Sequence, residues 1–244
     1  MNDLAGKVAL ITGSTRGIGK ATARVLGAHG ATVVITGRTL ADAERVAEEL
    51  RALGIRAVPF ALDVTIPESI TEVMDQVNAD LGGVDIMVNN AGAGAGNLLP
   101  HEIDPENWNY FLNLNLTGAH NCAKAAAPHM MEKKWGRIVF LTSMAAQVGG
   151  FKVGADYCAA KAGVIGLMRS YARKYGPFGI TANAVSPGYI ETEAHPGRDR
   201  ADEVILRRVG TPDDVANAIY FLSSDLSSYI TGVTIDVNGG VNIR

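Results

Sequence analysis

The sequence predicts an α/β fold: one doubly wound parallel sheet of about seven strands, with helices on both faces. Three observations lead to this prediction. Short runs rich in β-branched residues recur along the chain, helical patterns lie between them, and most of the runs are continuously apolar. Continuously apolar strands indicate a sheet that is covered on both faces. The alternation of strands and helices then favours parallel pairing.

The individual elements follow from local patterns. Strands are predicted at residues 7–12, 31–36, 55–61, 84–90, 136–143, 179–185 and 233–237, where the apolar runs lie. Helices are predicted after the first strand and at residues 39–53, 67–81, 117–134, 156–175 and 211–223. Threonine at 39 and 211 and proline at 67 and 212 are typical helix-start residues. We expect residues 1–244 to form one domain, because no linker-like stretch interrupts the alternation.

Composition excludes several classes of function. The chain carries a formal net charge of −3, so no basic face for nucleic acid is expected. It holds no apolar run long enough to span a membrane, and its first residues lack the pattern of a signal peptide. We therefore expect a cytoplasmic protein. The two cysteines, Cys122 and Cys158, do not have metal-ligand spacing, so no metal site is predicted.

A glycine-rich turn, TGSTRGIG at residues 12–19, joins the first strand to the first helix. Glycines let the backbone approach a pyrophosphate, and a helix N-terminus favours an anion. A strand before the turn and a helix after it are the context that a dinucleotide loop of a Rossmann-type fold requires. A tight turn without a ligand is the alternative. The predicted loop contacts are Gly13, Ser14, Thr15, Arg16, Gly17, Ile18 and Gly19.

The end of the second strand favours NADP(H) over NAD(H). Folds that prefer NAD usually place an acidic residue there, where it binds the ribose hydroxyls. This chain has Arg38 at that point and Arg16 within the loop. A guanidinium can bind a 2′-phosphate that a carboxylate would repel. NAD(H) stays open as an alternative, because both arginines could be ordinary surface residues.

Tyr157 and Lys161 lie four residues apart on a predicted helix and therefore share a face. A neighbouring ammonium, the helix start and a positive nicotinamide ring would each lower the pKa of the phenol. Ser143, at the end of the fifth strand, could hydrogen-bond a carbonyl oxygen as charge develops there. A surface pair is the alternative for the tyrosine and lysine on their own.

Together these motifs resemble the short-chain dehydrogenase/reductase family over essentially the full chain. The family's marks stand in order as TGSTRGIG (12–19), Asp63-Val64, NNAG (89–92), Asn115, Ser143, YCAAK (157–161) and PGYIET (187–192). The resemblance implies an NADP(H)-dependent oxidoreductase that interconverts a ketone and a secondary alcohol by hydride transfer.

The resemblance also implies a role for each matching residue. Tyr157 exchanges the proton, Lys161 lowers the pKa of Tyr157 and binds the nicotinamide ribose, and Ser143 orients the substrate oxygen. Asn115 holds a water that links Lys161 to solvent, with the nearby Asn113 and Asn121 as the alternatives for this position. The further cofactor contacts are Asp63, Val64, Asn90, Ala91, Gly92, Tyr157, Lys161, Pro187, Gly188, Ile190 and Thr192. A turn before Pro67 is the alternative for Asp63.

The closest resemblance is to 3-oxoacyl-thioester reductases, which act on acyl chains held by acyl carrier protein or coenzyme A. A dehydrogenase of a sugar, polyol or steroid-like alcohol is the alternative, and an inactive nucleotide-binding regulator is the alternative from another class. Docking of an acidic carrier protein needs basic residues near the site mouth. Lys133, Lys134 and Arg137 are the candidates, whereas Phe178 stands where such reductases usually have a basic residue.

The segment that follows PGYIET, around residues 191–210, is expected to form a short lid over the substrate. Its arginines could meet an anionic substrate or could be solvated; they are Arg198, Arg200, Arg207 and Arg208. The resemblance further implies a homotetramer, with a dimer as the second choice.

Overall fold

The computed structural model describes residues 3–94, 96, 98–150, 152–193 and 200–243. The strands are β1 (Val8–Ile11), β2 (Thr32–Gly37), β3 (Ala57–Ala61), β4 (Ile86–Asn89), β5 (Gly136–Leu141), β6 (Ile180–Pro187) and β7 (Thr234–Val237). They form one parallel sheet in the order β3-β2-β1-β4-β5-β6-β7. The predicted fold class is therefore confirmed, and each predicted strand overlaps an observed one. The strand order reverses between β1 and β4, and ligands bind at such a switch point.

Eight α-helices connect the strands within the described residues. They are α1 (Gly17–Ala28), α2 (Leu40–Ala52), α3 (Pro67–Leu81), α4 (Pro105–Leu112), α5 (Gly118–Lys133), α6 (Ala145–Val148), α7 (Ala155–Tyr175) and α8 (Pro212–Ser223). The predicted start signals act as expected: the Thr39 side chain accepts a hydrogen bond from the Asp42 amide, and Thr211 accepts one from the Asp214 amide. None of the described helices has the length and hydropathy needed to span a bilayer.

The helix predicted at residues 117–134 is α5, but a further helix and a turn, not predicted, run directly into its start. Asp104 caps α4 by accepting a hydrogen bond from the Asn107 amide at 2.7 Å, and a π-helical turn, Asn113–Thr117, joins α4 to α5. Pro105 is the first helical residue, which is a common place for proline. The prediction missed this helix because its asparagines are weak helix formers and hide the apolar spacing.

Both faces of the sheet are covered. Leu10 and Val34 point into a core formed with α3, α5 and α7, whereas the next residues, Ile11 and Ile35, point into a second core formed with α1, α2 and α8. This alternation explains why the strands are apolar throughout. The two packed layers leave the carboxyl edge of the sheet as the place where polar strand ends meet.

The basic residues predicted to dock a carrier protein lie at the opposite, amino edge of the sheet. Arg137 is the second residue of β5, is only 3% exposed and donates to Asp225 at 2.9 Å. Lys133 donates to the buried carboxylate of Asp85 at 3.3 Å. The predicted place of these residues near the site mouth is therefore wrong, because Lys133 and Arg137 are held in structural ion pairs and all three residues lie by the amino end of β5.

Candidate active site

A cavity of about 620 Å³ lies at the carboxyl edge of the sheet, between the glycine-rich loop and the start of α7. The predicted site residues that line it are Gly13, Arg16, Gly17, Ile18, Gly19, Asn90, Gly92, Ser143, Tyr157, Lys161, Pro187, Gly188, Ile190 and Thr192. The predicted site residues outside its lining are Ser14, Thr15, Arg38, Asp63, Val64, Ala91 and Asn115. One space thus joins the predicted nucleotide loop to the predicted catalytic side chains.

The glycine-rich loop has a backbone that only glycine accommodates at two points. Gly13 has a φ of +63°, which is the left-handed region. A methyl group on Gly19 would lie 2.6 Å from Asn90 Nδ2 and 2.9 Å from Ser14 Cα. The bare backbone and the N-terminus of α1 therefore form a cradle that fits a pyrophosphate.

Thr12 and Asn90 fix this loop to the end of β4. The Thr12 hydroxyl accepts hydrogen bonds from the amides of Asn90 (3.0 Å) and Ala91 (2.9 Å). The Asn90 side chain donates to the carbonyls of Thr12 (2.9 Å) and Gly13 (3.0 Å). Asn90 thus shapes the cradle with its side chain as well as lining it. The predicted loop contacts left out Thr12, although it is the first residue of the TGSTRGIG motif.

The Ser14 side chain serves the loop itself. Its hydroxyl is fully buried, donates to the Ile11 carbonyl at 2.9 Å and accepts from the Thr36 amide at 2.8 Å. Thr36 in turn accepts from the Gly13 amide and donates to Ile11. The Ser14 and Thr36 side chains therefore brace the loop against β2.

Arg16 and Arg38 flank one point at the outer end of the loop. The Thr15 methyl packs against Gly37, where an added methyl group would lie 2.6 Å from Thr15 Cγ2. Arg16 and Arg38 are the residues that follow these two, and both are exposed. Neither arginine forms an ion pair with a described residue. Two unpaired cations therefore stand where a 2′-phosphate is predicted.

Asp63 forms a turn before Pro67, which is the alternative role predicted for this residue from the sequence. Its Oδ1 accepts hydrogen bonds from the Thr65 amide (2.9 Å) and hydroxyl (2.6 Å). Val64 is buried, and its carbonyl lies against Gly118 at the start of α5. The adenine contact of Asp63 and Val64 stays a prediction.

Tyr157 and Ser143 meet at the other end of the cavity. Burial raises the pKa of Tyr157, a hydrogen bond with Ser143 lowers it, and the neighbouring Cys158 raises it again. The net effect is a pKa above that of a free phenol. The expectation that the protein lowers this pKa is therefore wrong for the chain alone, since the Lys161 ammonium lies 5.8 Å from the centre of the ring and is directed elsewhere.

The Lys161 ammonium is directed at the end of β5. The residue is only 4% exposed, and its Nζ donates to the Leu141 carbonyl at 2.9 Å. Burial lowers the pKa of Lys161 to about 8. The Thr142 hydroxyl donates to the Lys161 carbonyl at 2.7 Å, which ties α7 to β5 at the same point. The prediction missed Thr142, which had no signal beyond its place next to Ser143.

Asn115 lies in the π-helical turn and points toward Lys161. Its Nδ2 donates to the carbonyls of Ala93 and Phe111, each at 3.0 Å, whereas its buried Oδ1 has no partner among the described residues. A methyl group on Gly92 would lie 2.5 Å from Asn115 Oδ1 and 3.0 Å from Lys161 Nζ, so both atoms border one small space. An unpaired buried acceptor beside an ammonium is where a bound water or ribose hydroxyl would fit.

Comparison with known proteins agrees with this geometry. A family model described as enoyl-(acyl carrier protein) reductase matches residues 13–242. The 3-oxoacyl-[acyl-carrier-protein] reductase FabG of Escherichia coli is 42% identical, over 97% of each chain. The chain belongs to the short-chain dehydrogenase/reductase family. As a member, it is an oxidoreductase that uses a nicotinamide cofactor and acts on hydroxyl or keto groups.

Two solved structures of this family are similar over the whole chain. A 3-oxoacyl-[acyl-carrier protein] reductase from Brucella melitensis, with bound NAD, is 35% identical with a TM-score of 0.94 and covers 100% of this chain and 94% of its own. A putative gluconate dehydrogenase from Agrobacterium tumefaciens is 32% identical with a TM-score of 0.94. The match covers 100% of this chain and 99% of the dehydrogenase.

In the present chain the PGYIET segment, residues 187–192, crosses from β6 to the glycine-rich loop. The Gly188 amide donates to the Val237 carbonyl at 3.0 Å, and Thr192 packs against Gly17. Ile190 is buried and forms an isolated bridge with Gly210. The two ends of the expected lid are thereby held together. Its middle, residues 194–199 with Arg198, lies outside the described residues.

Gln147 is a further residue that the sequence did not single out. It lies on α6, four residues after Ser143, and its Nε2 donates to Asp236 Oδ1 at 2.7 Å and to Ser186 Oγ at 3.1 Å. Its Oε1 accepts from Asn242 at 2.9 Å. These bonds hold the segment that carries Ser143 against β6, β7 and the residues that follow β7.

Replacement of Lys161 by methionine is expected to stabilise the protein without ligand. At about pH 7 the buried ammonium opposes folding, so Lys161→Met should raise the free energy of unfolding by roughly 1–2 kcal/mol. Because the folded protein releases this proton near pH 8 and the unfolded chain near 10.5, the gain should shrink as pH rises through that window. Urea unfolding across this range measures it.

The matched control is Lys174→Met, which changes an exposed lysine on the same helix. Its effect on the free energy of unfolding should stay flat between pH 8 and 10.5. A flat difference for Lys161→Met as well would show that burial of this ammonium carries no penalty.

Proposed function

We propose that this enzyme is an NADP(H)-dependent reductase of a 3-oxoacyl thioester, held on acyl carrier protein or coenzyme A. The observation that carries the proposal is the single cavity that joins the glycine-rich cradle to Ser143, Tyr157 and Lys161. The thioester substrate is supported by the 42% identity to the Escherichia coli reductase along nearly the whole chain.

In this proposal Ser143 and Tyr157 act on the substrate oxygen. When bound, the nicotinamide supplies the hydride that reduces the carbonyl carbon. The Ser143 hydroxyl donates to the ketone oxygen, and Tyr157 gives it a proton as negative charge develops. A phenol is protonated at neutral pH, so Tyr157 holds the proton that this direction of the reaction needs.

Lys161 and Asn115 act behind Tyr157. With its pKa lowered to about 8, the Lys161 ammonium exchanges a proton readily near neutral pH. The unpaired Oδ1 of Asn115 accepts from a water that connects Lys161 to solvent. Gly92 leaves the room for that water, since any side chain there would fill the space between Asn115 and Lys161.

We also propose that the cofactor is NADP(H), with Arg16 and Arg38 on its 2′-phosphate. Their exposure and lack of acidic partners among the described residues support this assignment.

A dehydrogenase of a sugar acid is the second candidate function. It is favoured by the 32% identity to the putative gluconate dehydrogenase of Agrobacterium tumefaciens. An inactive nucleotide-binding regulator is disfavoured, because Asn115, Ser143, Tyr157 and Lys161 are all present and lie at one end of the sheet.

The proposed reaction is tested by following NADPH absorbance with acetoacetyl-coenzyme A. Wild-type protein should oxidise NADPH, and Tyr157→Phe should lose about 10²- to 10⁴-fold in kcat while NADPH still binds, because it lacks only the proton donor. Tyr220→Phe, at a tyrosine on α8 that does not line the cavity, is the control and should keep its rate. Turnover of gluconate but not of the thioester would instead support the second candidate.

Arg38→Asp should reverse the cofactor preference. A carboxylate there repels the 2′-phosphate, so the KM for NADPH should rise by roughly 10- to 100-fold while the KM for NADH stays level or falls. Arg56→Asp makes the same charge change at an exposed residue on the amino side of β3 and should alter neither KM. An unchanged NADPH preference in Arg38→Asp would reject the assignment.

We propose a homotetramer as the assembly. Exposed apolar side chains on α4 and around β7 support it, and they are Trp108, Tyr110, Leu226, Tyr229, Val233 and Ile243. The outer edge of β7 also has no neighbouring strand among those described. Light scattering after size exclusion should give four times the mass of one chain. A single-chain mass would refute the proposal.

A further inference from the structure

The charged residues that line the cavity are all basic. They are Arg16, Lys152, Lys161 and Arg200, and no described aspartate or glutamate lines it. The whole chain has a formal net charge of −3, so this local excess of positive charge does not follow from composition. A cleft lined by one sign of charge attracts ligands of the opposite sign.

Two of these cations lie at the substrate end, away from the nucleotide loop. Lys152 precedes Val153, whose methyl group packs against Gly94, and the Tyr157 ring lies beside the same glycine. Arg200 stacks on Tyr189, the residue after Gly188. Lys152 and Arg200 therefore line the cavity that Tyr157 also lines, and they come from two different chain segments.

Arg200 is held in place before any substrate binds. Its guanidinium lies 4.4 Å from the centre of the Tyr189 ring and donates to Glu203 Oε2 at 3.4 Å, while the Tyr189 hydroxyl donates to the same oxygen at 3.0 Å. The Arg200 side chain is 16% exposed, whereas that of Glu203 is 53% exposed. The carboxylate therefore faces water, and the guanidinium faces the cavity.

The partners of Arg200 leave most of its hydrogen-bonding capacity free. A guanidinium has five N–H donors, and among the described residues Arg200 hydrogen-bonds only with Glu203, at a long distance, and with Tyr189. A largely buried cation is stable when its donors are satisfied. Lys152 is exposed and has no ion-pair partner among the described residues, so it adds a second charge that Glu203 does not offset.

We propose that Arg200 and Lys152 form a subsite that binds an anionic group of the substrate, a phosphate or a carboxylate. Ser143 and Tyr157 hold the reacting carbonyl while this subsite holds the charged end. The inference rests on the proposed function for the nature of that carbonyl. A phosphopantetheine or coenzyme A thioester offers phosphate, and a sugar acid offers carboxylate.

The test compares a charged and a neutral thioester with the same acyl group: acetoacetyl-coenzyme A and S-acetoacetyl-N-acetylcysteamine. Arg200→Gln should lower kcat/KM for the coenzyme A thioester by roughly 10- to 100-fold, through KM, and change that for the neutral one by less than about twofold. Lys152→Gln should show the same selectivity with a smaller loss. Arg207→Gln, on the same segment but outside the cavity lining, should change neither.

Equal losses on both thioesters, or no loss on either, would overturn the subsite while leaving the proposed reductase intact. Failure of every variant and of wild type to reduce a thioester would instead reject the proposed reductase.

Calorimetry in the presence of saturating NADP⁺ then tests the subsite without turnover. It measures the affinity of the protein for coenzyme A and for gluconate as separate probes. Wild type should bind one of them about tenfold or more tightly than Arg200→Gln does. Equal affinities, or no binding of either probe, would overturn the subsite.

Discussion

The buried ammonium of Lys161 sets the constraint on which the candidate site depends. A charge this far from water needs close polar partners, and the nearest is the Leu141 carbonyl at the end of β5. The Thr142 hydroxyl binds the Lys161 backbone, so α7 cannot slide along the sheet without breaking both bonds. Asn115 and the bare backbone of Gly92 close the same space from β4 and the π-helical turn. Three chain segments are thereby fixed around one cation.

The strands and the glycine-rich loop were predictable because their signals are local. A continuous apolar run such as that of β2 is buried on both faces wherever it lies in the sheet, and the spacing of glycines in the loop reflects the backbone that a pyrophosphate requires. Helix α4 was not predictable from apolar spacing, and the π-helical turn had no local signal. That turn places Asn115 beside Lys161, whereas the Asn113 side chain donates to the Thr65 carbonyl at 3.4 Å.

The roles of single polar side chains were the least predictable feature, because they depend on what the fold places beside them. Ser14 fits the pattern of a cofactor contact, yet its hydroxyl donates to the Ile11 carbonyl and accepts from the Thr36 amide. Thr12 begins the glycine-rich motif but was not predicted as a contact, yet its hydroxyl accepts hydrogen bonds from the two amides that follow β4. The direction of the Tyr157 pKa likewise depends on burial, which the spacing of Tyr157 and Lys161 does not reveal.

The distribution of acidic partners separates structural cations from functional ones in this enzyme. At the amino edge Lys133 and Arg137 each have a carboxylate within 3.3 Å, and these ion pairs link elements of the fold. No described aspartate or glutamate lines the cavity, and Glu203, the partner of Arg200, has a side chain that is 53% exposed. Arg16, Lys152 and Lys161 have no carboxylate partner among the described residues, so the positive charge of this cleft favours anionic ligands. The proposed affinity for anions therefore depends on the arrangement of the strand ends, not on the composition of the chain.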